Sequence, residues 1–599
     1  MTSKIIRIGG ATGFWGESVL AMDDLLKHGD LDYLVFDFLA EITMSIMARA
    51  RMANADAGYA LDFVSTFIEP RLEEIAKRGV KVIANAGGVN ATACGAALRD
   101  AVAQHGLNLK VAVVTGDDLS HRVDELAGQK VTEMFSGERF PAPDKIASSN
   151  AYLGAYPIAQ ALASGADIVV TGRVVDSAVT LGACIHEFDL NPDDLSALAG
   201  ASLAGHILEC TAQATGGNFT DWELVADNYE SVGHPIAEVS ADGSFICTKP
   251  PGTGGIVTPH TVGEQMLYEI GDPQAYILPD VVCDFSSVTL EQVGPNRVLV
   301  KGAEGAPAPD TYKVSATFAD GYRGGQVVFF YGAEADRKAR RFAEATIART
   351  NRRLRELGLV DLTETCVEII GDESHYGARR QVSGSREVAL KIAAKHPTSK
   401  GISVMLKELI GLALASPPGL SMFAGGRPKP TPVVRLFSFL IAKDEVPVAI
   451  EVEGQTFDAD QITGQAFDAG NIQRPSPPNP PANPSVEMRQ VPLIKLAVGR
   501  SGDKGNNANI GILARRPEYL PHIWGSLTEQ VVRDGFAHFI EGPVERFLLP
   551  GSHSINFLLH DVLGGGGVAS LRNDPQGKGY AQLLLDFPIA VPAAMAEAL

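Results

Sequence analysis

Short apolar, β-branched runs alternate along this chain with stretches that carry apolar residues at helical spacing. Five such runs, each followed by a glycine-rich or polar turn and then a helical stretch, lie at residues 4–8, 31–36, 80–84, 111–114 and 167–170. Alternating strands and helices form parallel sheets, and the turns after the strands meet at one edge, where ligands bind. The pattern predicts an α/β fold with an open, mostly parallel sheet.

The pattern changes at about residue 210, where glycine and proline begin to separate short β-prone segments. This change predicts a β-rich elaboration over about residues 210–330. Six prolines between residues 475 and 484 exclude a helix or a central strand, and they predict an extended linker over residues 471–491. The linker divides the chain into an α/β domain, residues 1–470, and a small domain, residues 492–599.

Composition narrows the class of protein. The chain has 599 residues, 20% of them charged, and a net charge of -20, which indicates a globular protein of more than one domain that does not bind nucleic acid. Its six cysteines show no CxxC spacing, so neither a disulfide framework nor a structural zinc is expected. No N-terminal apolar segment and no run of about twenty apolar residues is present, so we expect a cytoplasmic protein without a membrane span.

The stretch at residues 165–182 combines a strand, a charged turn and the start of a helix. Arg173, Asp176 and Ser177 follow the strand directly, so they are expected at the ligand-binding crevice. The same residues could instead pair with one another or cap the helix. The segment at residues 149–156 is predicted to open the preceding helix, and Asn150 and Tyr152 could then face the same crevice.

Two carboxylates follow the second predicted strand. Asp37 and Glu41 are four residues apart, which places them on one face of a first helical turn. Such a pair could perform acid/base chemistry or bind a cation. Alternatively, acidic residues in a first turn simply complement the helix dipole.

Glycine and amide side chains follow the first and third strands. Backbone amides in a glycine-rich turn can approach a phosphate or carboxylate, although a plain tight turn explains the first of these turns equally well. No GxGxxG fingerprint is present, so dinucleotide redox chemistry is not favoured. The candidate ligand-binding residues in these turns are Gly10, Gly13, Asn85, Gly87, Gly88 and Asn90.

The β-rich region adds candidates of a different kind. His260 is a candidate acid/base residue, but a single histidine beside a proline is more often structural. Gly217 and Asn218, in the segment GGNFTDW, are candidate ligand contacts.

The small C-terminal domain is predicted to open with a strand at residues 493–498 and a loop at residues 499–509. Gly502 and Gly505 permit positive φ and could expose consecutive amides, while Arg500 and Lys504 add positive charge in an acidic protein. This combination suits a phosphate or a CoA moiety, and the alternative is an interdomain or intersubunit contact. The candidate ligand contacts are Arg500, Ser501, Gly502, Asp503, Lys504, Gly505 and Asn506.

Several long motifs carry a family resemblance. ADIVVTGRVVDSAVTLG, preceded by SNAYLGA and followed by GGNFTDW, resembles the acyclic terpene utilisation AtuA family, and the resemblance extends from RIGGATGFWGES to VGRSGDKGNNANIGI. It implies a ferredoxin-like α+β domain at the C-terminus and a place in the catabolism of branched or terpenoid acyl-CoA compounds.

Together these observations predict an enzyme with hydratase, lyase or hydrolase chemistry on a CoA thioester. Amides of the glycine turns would hold an enolate or oxyanion. CoA enters as part of the substrate and no tightly bound cofactor is expected; without an HxH or HExxH pattern, a metal is not favoured either. We expect a homo-oligomer, with a pathway enzyme as a further partner. The alternative is a non-catalytic or scaffolding subunit. The candidate catalytic residues are Arg173, Asp176, His260, Asp37 and Glu41.

Overall fold

The computed structural model describes residues 4–423, 425–426, 428–478 and 487–599. The α-helices in these ranges are α1 (Leu20–His28), α2 (Glu41–Ala53), α3 (Leu72–Arg78), α4 (Ala91–Gln104), α5 (Val123–Gly128), α6 (Tyr156–Ala163), α7 (Ala178–Phe188), α8 (Leu195–Glu209), α9 (Pro259–Leu267), α10 (Ala335–Glu356), α11 (Ser399–Gly411), α12 (Leu520–Ser526), α13 (Glu529–Gly535), α14 (Tyr580–Leu584) and α15 (Ala593–Glu597). The strands are β1 (Ile5–Thr12), β2 (Tyr33–Phe36), β3 (Lys81–Ala84), β4 (Val111–Thr115), β5 (Ile146–Ala151), β6 (Ile168–Thr171), β7 (Ile236–Ser240), β8 (Phe245–Thr248), β9 (Tyr276–Ile277), β10 (Val282–Asp284), β11 (Thr289–Gly294), β12 (Arg297–Lys301), β13 (Glu304–Ala306), β14 (Thr311–Tyr331), β15 (Glu364–Ile370), β16 (Glu387–His396), β17 (Leu420–Ser421), β18 (Thr431–Ala442), β19 (Ala449–Val452), β20 (Gln455–Asp458), β21 (Met488–Pro492), β22 (Ala497–Lys504), β23 (Asn507–Ala514), β24 (Val544–Leu549), β25 (Ser554–Leu559) and β26 (Pro588–Pro592).

The five apolar runs of the sequence form the centre of the largest sheet. They are β1, β2, β3, β4 and β6, and they lie side by side in the order β1-β2-β3-β6-β4, all parallel. Their carboxyl ends therefore share one edge, as the alternation of strands and helices predicts.

The flanks of this sheet correct the expectation of a mostly parallel arrangement. β7, β8, β12 and β11 continue the sheet beyond β1, β19 and β20 continue it beyond β4, and every one of these added pairings is antiparallel. Antiparallel neighbours can be joined by short turns, whereas parallel neighbours need a crossover. The short turns of the region after residue 210 account for the mixed sheet.

Helices cover both faces of the parallel strands. Side chains that alternate along a strand point to opposite faces, so Val82 packs with α1 to α4 on one side while Ile83 packs with α6 to α8 on the other. Burial on both faces explains why these strands are continuous apolar runs. It also leaves the strand ends as the place where polar side chains can gather.

A second, six-stranded sheet lies beside the first. It has the order β15-β16-β14-β17, with β18 and β5 also pairing with the long strand β14. Asn150 therefore lies on a strand, which corrects the prediction that residues 149–156 open a helix; α6 begins only at Tyr156. Strands continue as far as β20, well beyond about residue 330.

The C-terminal residues form a separate four-stranded antiparallel sheet in the order β22-β23-β25-β24. β21 pairs with β26, so the last residues of the predicted linker belong to this region, whereas residues 479–486 lie outside the described ranges. The division of the chain at the linker stays a prediction. Within the described ranges, no helix combines the length and the apolar character that a membrane crossing requires.

Candidate functional site

The turn after β6 brings a buried cation to the carboxyl edge of the parallel strands. Arg173 is 3% exposed, and its Nη1 donates to Asp176 Oδ1 at 2.6 Å. The Arg173 guanidinium carbon also lies 4.1 Å from the ring centroid of Tyr152. Arg173 and Asp176 thus pair with each other, as one reading of the sequence expects, and they do so at the carboxyl edge of the parallel strands.

Asp117, which the sequence analysis did not single out, holds this arrangement in place. Asp117 Oδ2 accepts from the Arg173 backbone amide at 2.8 Å and from Asn150 Nδ2 at 2.8 Å. It follows β4, so it joins the ends of β4, β5 and β6. Burial raises the pKa of Asp117 to about 7, against the hydrogen bonds that favour its ionised form. Asp117 follows a strand directly, in the turn TGDDLS, and this position is the sequence signal by which it could have been found.

A small cavity lies beside the Arg173–Tyr152 pair, between the two large sheets. Asn150 Oδ1 and Ser315 Oγ are buried there and have no hydrogen-bond partner among the described residues. Buried polar atoms normally have partners, so these two mark a place where water or a ligand completes the structure. The cavity is lined by Met44, Asn150, Tyr152, Arg173, Ser315 and Thr317.

Asp37 lies buried at the end of β2. Asn85 Nδ2 donates to Asp37, and Asn85 Oδ1 accepts from the Phe38 amide at 2.7 Å. Burial raises the pKa of Asp37 well above its usual range, the negative charge of Asp176 adds to this, and Arg173 opposes it. Asp37 is therefore a buried carboxyl group whose pKa is raised, and the charges of Arg173 and Asp176 act on it in opposite directions.

Glu41 begins α2, but its side chain lies outside the described part of the structure. The predicted pairing of Asp37 with Glu41 is thus not described. Among the side chains that are described, no group of three or more His, Cys, Asp or Glu is arranged to hold a metal ion.

The last turn of α8 supplies a histidine and a carboxylate that the sequence analysis missed. His206 Nδ1 lies 2.8 Å from Glu209 Oε1, and both side chains are at most 9% exposed. Burial raises the pKa of Glu209, His206 lowers it, and the charge of Asp176 raises it further. α8 is apolar along most of its length, so its sequence indicates a core helix and hides the site at its end.

The glycines of the first turn pack against this helix, which corrects their assignment as an anion site. Gly10 lies inside β1, and a Cβ there would meet the Leu208 carbonyl oxygen at 2.6 Å. A Cβ at Gly13 would meet the Glu209 carbonyl oxygen at 2.5 Å, and the Gly13 amide donates to Glu17 at 2.6 Å. The two glycines allow α8 to approach β1, and so they place Glu209 at the sheet edge.

The turn after β3 is also engaged within the protein. The Gly87 amide donates to the Thr171 carbonyl at 3.0 Å, and the Gly88 amide donates to the Asn85 carbonyl at 3.4 Å. Asn90 caps α4 by accepting from the Ala93 amide at 3.4 Å. The Gly87 and Gly88 amides thus already donate within the protein and are not free to donate to an enolate or oxyanion in this structure.

Ser177 lies at the start of α7, pressed against α8. A Cβ at Gly205 of α8 would approach the Ser177 backbone within 2.8 Å, so the two helices are in close contact there. Ser177 Oγ is buried and has no hydrogen-bond partner in the described ranges. Its surroundings are those of a helix contact.

His260 has charged neighbours other than Arg173 and Asp176. The charges that shift its pKa belong to Arg515 and Asp221; burial lowers the pKa of His260, Arg515 lowers it further and Asp221 opposes this. Asp221 accepts both guanidinium hydrogen bonds of Arg515 at 2.6 Å. His260 therefore borders a contact between the N-terminal region and the C-terminal sheet.

Asn218 belongs to the same interdomain contact, whereas Gly217 is bonded within its own turn. The Gly217 amide donates to the Ala212 carbonyl at 2.7 Å, and the Asn218 carbonyl accepts from Arg500 Nη1 at 2.7 Å. The Arg500 guanidinium also lies 5.0 Å from the ring centroid of Tyr268. Arg500 is thus a buried docking residue.

The predicted loop at residues 499–509 is a β-hairpin, which corrects its assignment as a nest of amides. β22 continues to Lys504, β23 begins at Asn507, and only Gly505 and Asn506 form the turn. Gly505 has φ of 64°, as the first central residue of a type II′ turn requires. The alternation of glycine and polar residues concealed the strand.

Most side chains of this hairpin are engaged within the protein. Ser501 Oγ donates to the Gly577 carbonyl at 2.6 Å, and a Cβ at Gly502 would meet the Tyr268 ring at 2.6 Å. Asn506 Nδ2 donates to Asp561 at 3.0 Å. Of these contacts, the approach of Gly502 to Tyr268 joins the hairpin to the N-terminal region, and the other two lie within the C-terminal domain.

Lys504 differs from these residues. It is exposed at the end of β22, and its charge acts on the carboxyl groups of Glu209 and Glu269. Burial raises the pKa of Glu209, and the positive charge of Lys504 acts in the opposite direction. Burial also raises the pKa of Glu269, but Lys578 and Lys504 outweigh burial and lower it. Lys578 Nζ lies 2.6 Å from Glu269 and 3.5 Å from Asp503. The hairpin thus shares an electrostatic neighbourhood with Glu209.

These features define an α/β protein with buried, titratable side chains at the carboxyl edge of its parallel strands and an antiparallel C-terminal domain beside them. The sequence matches the acyclic terpene utilisation family protein AtuA over residues 6–452, and the AtuA ferredoxin-like domain over residues 491–590. The chain belongs to the AtuA family. No curated protein and no solved structure matches it.

Proposed function

We propose that this protein is an enzyme of branched-chain or acyclic terpenoid acyl-CoA catabolism, with hydratase, lyase or hydrolase chemistry on a CoA thioester. The family description supports the catabolic setting. The observation that carries the chemistry is Asp37, a buried carboxyl group with a raised pKa beside Arg173 and Asp176. Strongly shifted pKa values gather at functional sites, because catalysis needs acids and bases that exchange protons near neutral pH.

Arg173 takes the role that the glycine amides cannot perform. Its guanidinium is held by Asp176 and by the ring of Tyr152, so its orientation is set before a ligand arrives. It would donate hydrogen bonds to the thioester oxygen or to a substrate carboxylate. Protonated Asp37 would supply a proton to the reacting substrate.

The CoA portion is proposed to extend towards the C-terminal hairpin. A phosphate that reaches a chain of net charge -20 needs a local cation, and Lys504 is an exposed lysine whose charge acts on Glu209. CoA is then part of the substrate and is not a tightly bound cofactor. We also propose that the protein is cytoplasmic, that it forms a homo-oligomer and that it works with a partner protein of the pathway.

A panel of acyl-CoA esters tests this function. Purified protein should convert at least one ester, and mass spectrometry distinguishes addition of water, release of CoA and cleavage of the acyl chain. Arg173→Lys and Asp176→Asn should each lower turnover at least about ten-fold, because each breaks the positioned ion pair. Asp361→Asn, in an exposed ion pair with Arg355, is the control and should keep full turnover.

Folded protein that converts no ester would overturn the proposal. If such a protein co-purified with a second enzyme of the pathway, the scaffolding alternative would be favoured instead. Equal turnover by Arg173→Lys and the parent protein would remove Arg173 from the site.

A further inference from the structure

The last turn of α8 packs more closely against its neighbours than a helix end requires. Gly10 and Gly13 let its backbone approach β1 to within distances that exclude a side chain. On the opposite side, Gln265 Nε2 donates to the His206 carbonyl at 3.0 Å. His206 and Glu209, three residues apart on one face of the helix, are therefore fixed by packing from two sides.

Both side chains carry buried polar atoms that the protein leaves unpartnered. Glu209 Oε2 and His206 Nε2 are buried and have no hydrogen-bond partner in the described parts of the chain. Leaving such atoms unsatisfied costs about 1 to 3 kcal/mol each, so a partner is expected from outside the protein. The tilted ring of Tyr276, 5.8 Å from that of His206 between centroids, borders the pair on one side.

The pair lies next to the Asp37 region. The Asp37 amide donates to the Thr12 carbonyl at 3.1 Å, and the following residue, Gly13, packs directly against the Glu209 carbonyl oxygen. The charges of Asp176 and Glu209 also act on the pKa of Asp37. Asp37 accepts a hydrogen bond from Asn85 Nδ2, whereas Glu209 has an imidazole nitrogen at 2.8 Å. Burial raises the pKa of both carboxyl groups, but His206 opposes this at Glu209 and Arg173 opposes it at Asp37, so the two groups differ in their surroundings.

We infer that Glu209 is the general base of this site, that His206 positions it, and that the reaction is the addition of water to an α,β-unsaturated acyl thioester. This inference rests on the proposed function and specifies its substrate class. Glu209 Oε2 takes a proton from a water molecule, and the water oxygen forms a bond to C3 of the acyl chain. The C2–C3 double bond opens, and protonated Asp37 delivers its proton to C2.

The proton count closes without a further reactant. Glu209 gains one proton, Asp37 loses one, and exchange through solvent restores both groups. The product is a 3-hydroxyacyl thioester with CoA still attached. A hydration needs an acid and a base at once, and the two unlike carboxyl groups supply them.

Turnover of enoyl-CoA esters in water labelled with oxygen-18 tests the inference. The label should appear in a hydroxyl group of an intact thioester. Glu209→Gln should lower kcat at least about 100-fold, Glu209→Asp should recover part of this loss, and binding of CoA itself should change less than about two-fold. Glu408→Gln, a similarly buried carboxylate paired with Arg349 on another helix, is the matched control and should keep its activity.

His206→Gln provides the readout that distinguishes a positioning role from a structural one. It should lower kcat about ten-fold and move the acidic limb of the kcat/KM profile, because the imidazole acts on the ionisation of Glu209. That limb should be absent in Glu209→Gln. A folded His206→Gln variant with an unchanged profile would contradict the assigned role of His206.

Two outcomes separate this inference from the function it rests on. Active protein whose Glu209→Gln variant turns over within about two-fold of the parent overturns the assignment of the base and leaves the proposed function standing. Label found in a free carboxylic acid shows hydrolysis and overturns the substrate class alone. Protein that converts no thioester at all overturns both.

Discussion

Asp37, at the edge of the parallel strands, and Glu368, between the second sheet and the C-terminal domain, are both buried carboxyl groups with opposite behaviour. Glu368 lies 2.6 Å from Lys391 Nζ and 3.1 Å from His375 Nε2, and it accepts from the Asn573 amide at 2.9 Å. Burial alone would raise the pKa of Glu368, but His375 and Lys391 lower it to about 2. At Asp37, burial and the charge of Asp176 prevail and raise the pKa.

The difference shows that the balance of neighbouring charges matters more than burial. Glu368 is a fully paired anion that connects two parts of the fold, so we expect it to contribute to stability. Asp37 is incompletely compensated, so its ionised form costs free energy in the folded protein. Such a cost is retained where a proton must be exchanged, which is why Asp37 belongs to the candidate site.

The largest expected effect is on turnover. Asp37→Asn removes the proton that the site donates, so kcat should fall about 10²- to 10⁴-fold, as for general acids elsewhere. Steady-state kinetics on the preferred acyl-CoA ester would measure this, with thermal unfolding in parallel. If Asp37→Asn instead unfolds more easily while its folded fraction keeps full turnover, then Asp37 is a structural residue like Glu368 and not a proton donor.

Glu368→Gln should have the opposite profile. It leaves the partly buried Lys391 and His375 without their buried anion, so the free energy of unfolding should fall by about 3 kcal/mol while kcat stays the same. Glu364→Gln, which breaks an exposed pair with Lys395 on the same two strands, is the control and should cost less than about 1 kcal/mol. Urea unfolding measures the loss of unfolding free energy in each variant. Equal losses would contradict the expectation that the more buried ion pair contributes more to stability.

The pH dependence of the Glu368→Gln effect has a definite sign. The pKa of Glu368 is lowered from 4.5 to about 2 by folding, so its contribution is complete above about pH 4.5 and is lost as pH falls towards 2. The stability difference between the parent protein and Glu368→Gln should therefore shrink over that interval. A difference that grew with acidification would contradict the ion pairing.

Lys504→Ala tests whether the C-terminal domain contributes to ligand binding. The alternative is that this domain only packs against the rest of the chain, as it does where Asn573 contacts Glu368. A lost phosphate contact should raise the dissociation constant for a CoA ester about ten-fold, and salt should reduce the effect. A short thioester without the CoA phosphates should bind as before, and Lys400→Ala, an exposed lysine on α11, is the control. Equal losses for both ligands would mean that Lys504 only shapes the hairpin.

The smallest effect is the stability of Asp37→Asn. Because folding raises the pKa of Asp37 above 3.8, ionising it opposes folding once the pH exceeds that value. Asp37→Asn should thus raise the melting temperature slightly at neutral pH, and the gain should vanish below about pH 4. A fall in melting temperature at neutral pH would mean that the hydrogen bonds of Asp37 outweigh the cost of its charge.

Several residues of the candidate site were predictable because each follows a strand directly. Asp37, Arg173 and Asp176 stand after apolar runs, and parallel strands bring such positions to one edge. Glu209 and His206 were not predictable in this way, since they end an apolar helix whose position depends on Gly10 and Gly13. Their only sequence signal was a polar pair in an otherwise apolar helix.

The hairpin of the C-terminal domain is a case in which local sequence predicts the wrong element. Glycines and polar residues in β22 predict a loop, but pairing with β23 and packing on Tyr268 make it a strand. Glycine lowers strand propensity by itself and is accepted where another surface approaches closely. That surface is remote in sequence, so local composition could not indicate it.

The sequence by itself determined the local elements: the five central strands, the turns at their carboxyl ends and the family. Apolar periodicity and turn residues specify these over short stretches of chain, and they act before any distant contact forms. The tertiary structure alone decided which carboxyl groups are compensated. A pKa depends on burial and on charges supplied by distant parts of the chain, as at Asp37 with Arg173 and at Glu209 with Lys504, and those neighbours exist only after folding.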